Sequence, residues 1–154
     1  MGKKILAIGN RIMKDDAIGV LIGQELRSDL ERLGFEVILG ETDTDYSLSF
    51  IENGDFIFIL DCTLYGIEPG KISILDINNK EIFFEKGYSQ HQLSLIKLLN
   101  SYNFQNVTGY IIGIEGVDVD YGEELSKELL EKFNHIKSQV YQNIVLKDSI
   151  HKGE

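Results

Sequence analysis

The run Phe56-Ile57-Phe58-Ile59-Leu60 constrains the fold more than any other feature of this 154-residue chain. Successive side chains of a strand point to opposite faces, so an unbroken apolar run leaves neither face suited to water. Such a strand belongs in the middle of a sheet covered on both sides, and helices are the usual cover. The run stops at Asp61, where the strand is expected to end.

The flanking pattern agrees with that demand. Ile5-Leu6-Ala7-Ile8 reads as a buried strand closed by Gly9-Asn10. Ile18, Leu21, Ile22, Leu26, Leu30 and Leu33 follow at spacings of three and four, one face of a helix that Gly34 stops. Further strands are expected at Glu36–Leu39, Ile72–Leu75 and Val107–Ile114, the last ones with room to pair antiparallel. Pro69-Gly70 marks a turn, and a short helical pattern runs through Leu48 and Ile51. The segment 82–88 is ambiguous, and a helix is expected from His91 through Leu99. A terminal helix is expected over 123–146, with Leu125, Leu129, Phe133, Ile136, Val140 and Ile144 inward, before a frayed polar tail at 147–154. Strand–helix alternation of this kind predicts one domain over 1–154, a three-layer α/β/α fold with a mostly parallel twisted sheet of about five strands.

Charge narrows the range of functions. A formal net charge of −10 disfavours nucleic acid and anionic membrane surfaces as partners. Lys3-Lys4, the one dense basic pair, is expected only to solvate the entry of the first strand. The single cysteine, Cys62, excludes an internal disulfide and reads as a small core residue. No apolar stretch approaches a membrane span, and the start of the chain has no signal-peptide core. A cytoplasmic location is the resulting expectation.

Ligands of open α/β sheets gather outside the carboxyl ends of the strands. Three acidic features fall there: Asp15-Asp16 after the first strand, Glu41-Thr42-Asp43-Thr44-Asp45 after the second, and Asp61. Neither a dinucleotide nor a P-loop pattern is present, and two carboxylates where a phosphate would sit favour a cation instead. Helix capping is the plainer role for Asp15-Asp16, and solvated turn chemistry for the acidic loop. Asp61 carries a desolvation cost unless a cation or hydrogen-bond donors meet it. His91 opens a later helix and would complete a carboxylate–imidazole set suited to nickel, zinc, iron or manganese. His135 and His151 read as solvated.

The same residues resemble a known family. Ile8-Gly9-Asn10-Arg11-Ile12-Met13-Lys14-Asp15-Asp16-Ala17-Ile18-Gly19 is similar to the opening signature of the nickel–iron hydrogenase maturation proteases. Phe58-Ile59-Leu60-Asp61-Cys62 resembles the second signature, with Pro69-Gly70 at the usual distance. Ser89-Gln90-His91-Gln92-Leu93 resembles the third. Gly113-Ile114, then Gly122 and Leu125-Ser126, match the closing strand–loop–helix pattern, so the resemblance runs from Lys4 to about Phe133.

What the resemblance implies is an endopeptidase acting on the large-subunit precursor of a hydrogenase. It would remove a C-terminal extension after nickel insertion, recognising nickel supplied by that substrate. Asp16, Asp61 and His91 take the metal-binding and catalytic roles by motif position, with another divalent metal possible in nickel's place. Many members carry Asp-Gly-Gly-Thr where this chain reads Gly40-Glu41-Thr42-Asp43-Thr44-Asp45. Thr42, Asp43 and Asp45 are therefore expected to contact substrate rather than metal. The family also tends to have proline where this chain has Gly116, which is expected to loosen that loop. A metal-binding, chaperone-like module on the same fold and a related α/β hydrolase stand as alternatives.

Overall fold

The computed structural model describes residues 2–78, 97 and 99–153. Its sheet contains β1 (Lys3–Ile8), β2 (Phe35–Glu41), β3 (Phe56–Thr63), β4 (Ile72–Asp76) and β5 (Thr108–Glu115), in the order β2-β1-β3-β5-β4. β1 runs parallel to β2 and β3, and β3 parallel to β5, while β4 closes one edge antiparallel to β5. The expected mostly parallel five-stranded α/β fold is the one observed. The described helices are α1 (Ile18–Arg32), α2 (Thr44–Leu48) and α3 (Lys127–Lys152). Most of the helix expected from His91, and all of 82–88, lie outside the described residues.

β3 shows how an unbroken apolar run serves two cores. Phe56, Phe58, Leu60 and Cys62 face one side, joining Ile18, Ile22, Leu26 and Leu30 of α1 and Leu129, Ile136, Val140 and Ile144 of α3. Ile57 and Ile59 face the other side, with Leu6, Ile8, Ile38 and Ile111, beneath Leu48 and Ile51. Leu99 and Phe104 extend that second cover. All eight residues of β3 are buried, as expected for the central strand of a three-layer sandwich.

Three differences from expectation share one cause, polar groups satisfied by distant partners. β3 continues past Asp61 to Thr63, because the Thr63 hydroxyl donates to Glu115, 52 positions away. α3 runs to Lys152, through the segment expected to fray. There Asp148 is buried and pairs with Lys3 Nζ at 3.1 Å and Lys152 Nζ at 3.3 Å, and the exposed His151 ring stacks on Phe56. Lys3 and Lys4 are structural rather than solvating. Lys4 is buried, pairs with the buried Asp55 at 2.8 Å and donates to the Phe50 carbonyl. Among the described residues, no helix is long and apolar enough to cross a membrane.

Candidate active site

The strand order places a crevice by topology. β1 lies between β2 and β3, so the connections leaving β1 and β2 travel to opposite sides of it, a topological switch point. The segment after β1 carries Asp15 and Asp16 in a 3-10 turn (Lys14–Ala17), and the carboxyl end of the adjacent β3 carries Asp61.

Two glycines make the approach between those segments close. Gly9 leaves β1 with φ 137, a conformation that glycine adopts readily, and a Cβ there would lie 2.0 Å from the Asp16 carbonyl oxygen. Gly19, in the first turn of α1, faces the end of β3. A Cβ at Gly19 would lie 2.5 Å from the Leu60 carbonyl oxygen and 2.9 Å from Asp61 Cα. The first turn of α1 thus rests directly on the backbone at Leu60–Asp61, and the charges of Asp61 and Asp16 both act on Cys62. The Asn10 N–H donates to Asp16 Oδ2 at 2.8 Å, and the Cys62 N–H to Asp61 Oδ1 at 2.7 Å. Asp61 is fully buried and Asp16 partly so.

Asp15 does different work from its neighbour. Its buried carboxylate accepts from the N–H groups of Val117, Asp118 and Ser126 at 2.8–3.0 Å, tying the loop after β5 to the 3-10 turn. This replaces the capping role read from the sequence, since α1 has no side-chain cap. Glu115, at the end of β5, is the counterpart that sequence reasoning missed. It accepts from the Thr63 hydroxyl and from the N–H groups of Tyr65, Gly66 and Ile67, fixing the loop after β3. The usable signal was an acid closing an apolar strand, the same signal that singled out Asp61.

Cys62 senses this concentration of charge. Burial pushes its thiol pKa up, and the negative charges of Asp61, Asp16, Asp15 and Glu115 push it further. The sulfur is held as a thiol against the Thr63 carbonyl, so it is no nucleophile at neutral pH. Gly116 does not loosen its loop. Its N–H donates to the Thr63 carbonyl at 2.9 Å, a bond proline lacks, and a Cβ there would lie 2.6 Å from Cys62 Sγ.

The acidic loop borders the same end of the sheet. The Glu41 carbonyl accepts from the Gly9 N–H, and its carboxylate pairs with Arg11 at 3.2 Å. Thr42, Asp43 and Asp45 are exposed, and Asp43 caps α2 by accepting from the Tyr46 N–H. His91 lies outside the described residues. Among the described residues, no three His, Cys, Asp or Glu side chains form a group able to hold a metal. A cavity of about 640 Å³ lies elsewhere, between β4 and α3, and includes Glu68, Lys132 and His135 but none of the crevice carboxylates.

Comparison with known proteins bears on this arrangement. A family model described as HycI, hydrogenase maturation protease, matches residues 20–145, a span that begins just past Asp16 and includes Asp61 and His91. The hydrogenase maturating endopeptidase HybD of E. coli is similar at 24% identity and TM-score 0.76, over 97% of this chain and 94% of that one. The [NiFe] hydrogenase maturation protease HybD of Thermococcus kodakarensis is similar at 29% identity and TM-score 0.71, over 92% of this chain and 98% of that one. A hydrogenase 2 maturation peptidase from a Thaumarchaeota archaeon shares the fold at 18% identity and TM-score 0.63, over 94% of this chain and 98% of that one. No curated protein sequence matches.

Proposed function

The chain belongs to the hydrogenase maturation protease family, and from that premise we propose that it removes a C-terminal extension from the large-subunit precursor of a nickel–iron hydrogenase. In this reading the nickel that the precursor already carries is the recognition element. The observation that supports it most is the close backbone packing at the switch point, where glycine at positions 9 and 19 lets the segments carrying Asp16 and Asp61 approach.

We assign His91 as the third group, on its place in the Ser-Gln-His-Gln-Leu motif. Two carboxylates and an imidazole suit a borderline divalent cation such as nickel. Nickel held there would supply Lewis acidity toward a carbonyl or a water. The residues of the chain do the rest. The Asn10 and Cys62 N–H groups hold the carboxylates of Asp16 and Asp61 in orientation. We assign to this pair the acceptance of a proton from the attacking water. Thr42, Asp43 and Asp45, exposed beside the crevice, would contact the substrate strand. The reading places the protein in the cytoplasm.

The test compares enzyme variants against nickel-loaded and nickel-free precursor, with the product mass as readout. Wild type is expected to cleave the nickel-loaded precursor and leave the nickel-free one intact. His91→Ala and Asp61→Asn, checked for folding by circular dichroism, are expected to cleave neither. Efficient cleavage of nickel-free precursor by wild type would refute recognition through nickel. Absence of a shortened product under every condition would sink the processing reaction itself.

A further inference from the structure

The exposed apolar side chains are distributed unevenly over the molecule. Among the described residues ten large hydrophobic side chains are exposed, and six of them sit on the segments that follow the carboxyl ends of strands, five on loops and Tyr46 in α2. They are Ile12 after β1, Tyr46 after β2, Leu64 and Ile67 after β3, and Val117 and Tyr121 after β5. Tyr121 is 78% exposed. Surface hydrophobes scattered singly need no explanation, but a concentration at one end of a molecule does.

These loops are stitched into one frame. The Gly122 N–H donates to the Ile12 carbonyl, and the Lys14 N–H donates back to the Gly122 carbonyl. Asp15 holds Val117 and Asp118, and Glu115 holds Tyr65, Gly66 and Ile67. The Gly116 N–H joins the two loops at the Thr63 carbonyl. The apolar groups are therefore carried by backbone already ordered, so a partner meets them without a large ordering cost. The margin is acidic. Asp43, Asp45, Asp120, Glu123 and Glu124 are exposed there, whereas the neighbouring Arg11 and Lys14 are paired with Glu41 and Asp118.

We propose that this apolar, acid-margined rim around the Asp16–Asp61 crevice is the docking surface for the folded body of the precursor. The precursor would present an apolar patch bordered by Lys and Arg around its metal. The occupant follows from two observations: the rim adjoins the crevice where the scissile segment must lie, and its exposed charge, five acids against Lys71 and Lys127, favours a basic border. The proposal rests on the protease reading and adds to it. Affinity comes from the loops on the rim, and the crevice supplies metal recognition and chemistry.

The experiment measures KM and kcat for cleavage of nickel-loaded precursor, together with equilibrium binding of that precursor to the uncleaving Asp61→Asn variant. Val117→Ser combined with Tyr121→Ser is expected to raise KM about tenfold or more with kcat nearly unchanged, because central aromatic anchors dominate interface energy. Leu64→Ser is expected to act in the same direction. Tyr102→Ser with Leu146→Ser, exposed on other surfaces, should leave both constants at wild-type values. Binding should weaken as salt is raised. Rim variants with wild-type KM, or controls that raise KM equally, would overturn the docking surface while leaving the protease reading intact. A rim-dependent complex that wild type never cleaves would leave the surface standing and remove the protease reading. If wild type neither binds nor cleaves the precursor, both fall.

Discussion

At the scale of single residues, the candidate site depends on where side chains are missing. Gly19 allows α1 to rest on the Leu60 carbonyl and Asp61 Cα, and an added methyl group there meets backbone rather than a flexible side-chain end. Alanine gains about 1 kcal/mol of helix preference over glycine, but overpacking against a central strand typically costs about 1–3 kcal/mol. Gly19→Ala is therefore expected to destabilise the protein slightly and to move Asp16 away from Asp61, lowering kcat by an order of magnitude or more. Gly23→Ala is the control. Its Cβ would meet Ala7 Cβ at 2.7 Å, farther along the same helix and away from the crevice. It should cost comparable stability by chemical denaturation yet leave precursor cleavage nearly intact. Equal loss of cleavage in both variants would show that general destabilisation, not site geometry, explains Gly19. Asp16 and Asp61 are readable in the sequence because their motifs are local. The three N–H partners of Asp15 lie more than a hundred positions away, and no local pattern encodes such a contact.

Among the elements, the loop after β3 keeps its shape through one carboxylate. Glu115 receives four donors, three of them backbone N–H groups. Glu115→Gln removes the charge and turns an amide NH₂ toward donors, which is expected to cost about 2 kcal/mol. Amide hydrogen exchange at Tyr65, Gly66 and Ile67 should accelerate markedly, while β1 and β2 keep their protection. Unchanged exchange at those three amides would show that Glu115 does not hold the loop. The strands and α1 are legible because periodicity and the Gly34 stop are properties of neighbouring residues. Element ends are less so. β3 passes through Asp61 to Thr63, and α3 passes Leu146 to Lys152, because Glu115 in one case and Lys3 in the other satisfy polar groups that look terminal in isolation. Lys3 is 145 positions from Asp148, beyond the reach of any window read along the chain.

For the molecule as a whole, acid stability is expected to turn on the end of the sheet opposite the crevice. Asp55 precedes β3 and receives the Lys4 ammonium together with the N–H groups of Gly2 and Glu52. Burial alone would raise its pKa, but those donors outweigh burial and hold it below the ordinary carboxylate value. A carboxylate whose pKa is depressed on folding contributes stability that is fully present above its unfolded pKa, about 3.9. That contribution disappears as pH falls from there through the lower folded value. Asp118 shifts in the same direction through the Asp120 N–H and Lys14, but at the surface, where solvent screens its effect. Asp55→Asn leaves the buried Lys4 with only the exposed Glu52, at 4.0 Å, as counter-charge and is expected to cost about 3 kcal/mol at pH 7. Protonation neutralises the wild-type carboxylate as well, so the gap between the two proteins should shrink steadily below about pH 4. The difference is the proper readout, because the chain has 25 acidic residues whose mutual repulsion also changes with pH in both proteins. Urea denaturation of both proteins at pH 7, 5, 4 and 3 measures it. A gap that stays constant across that series would show that ionisation of Asp55 contributes nothing, and that the variant loses stability only through altered packing.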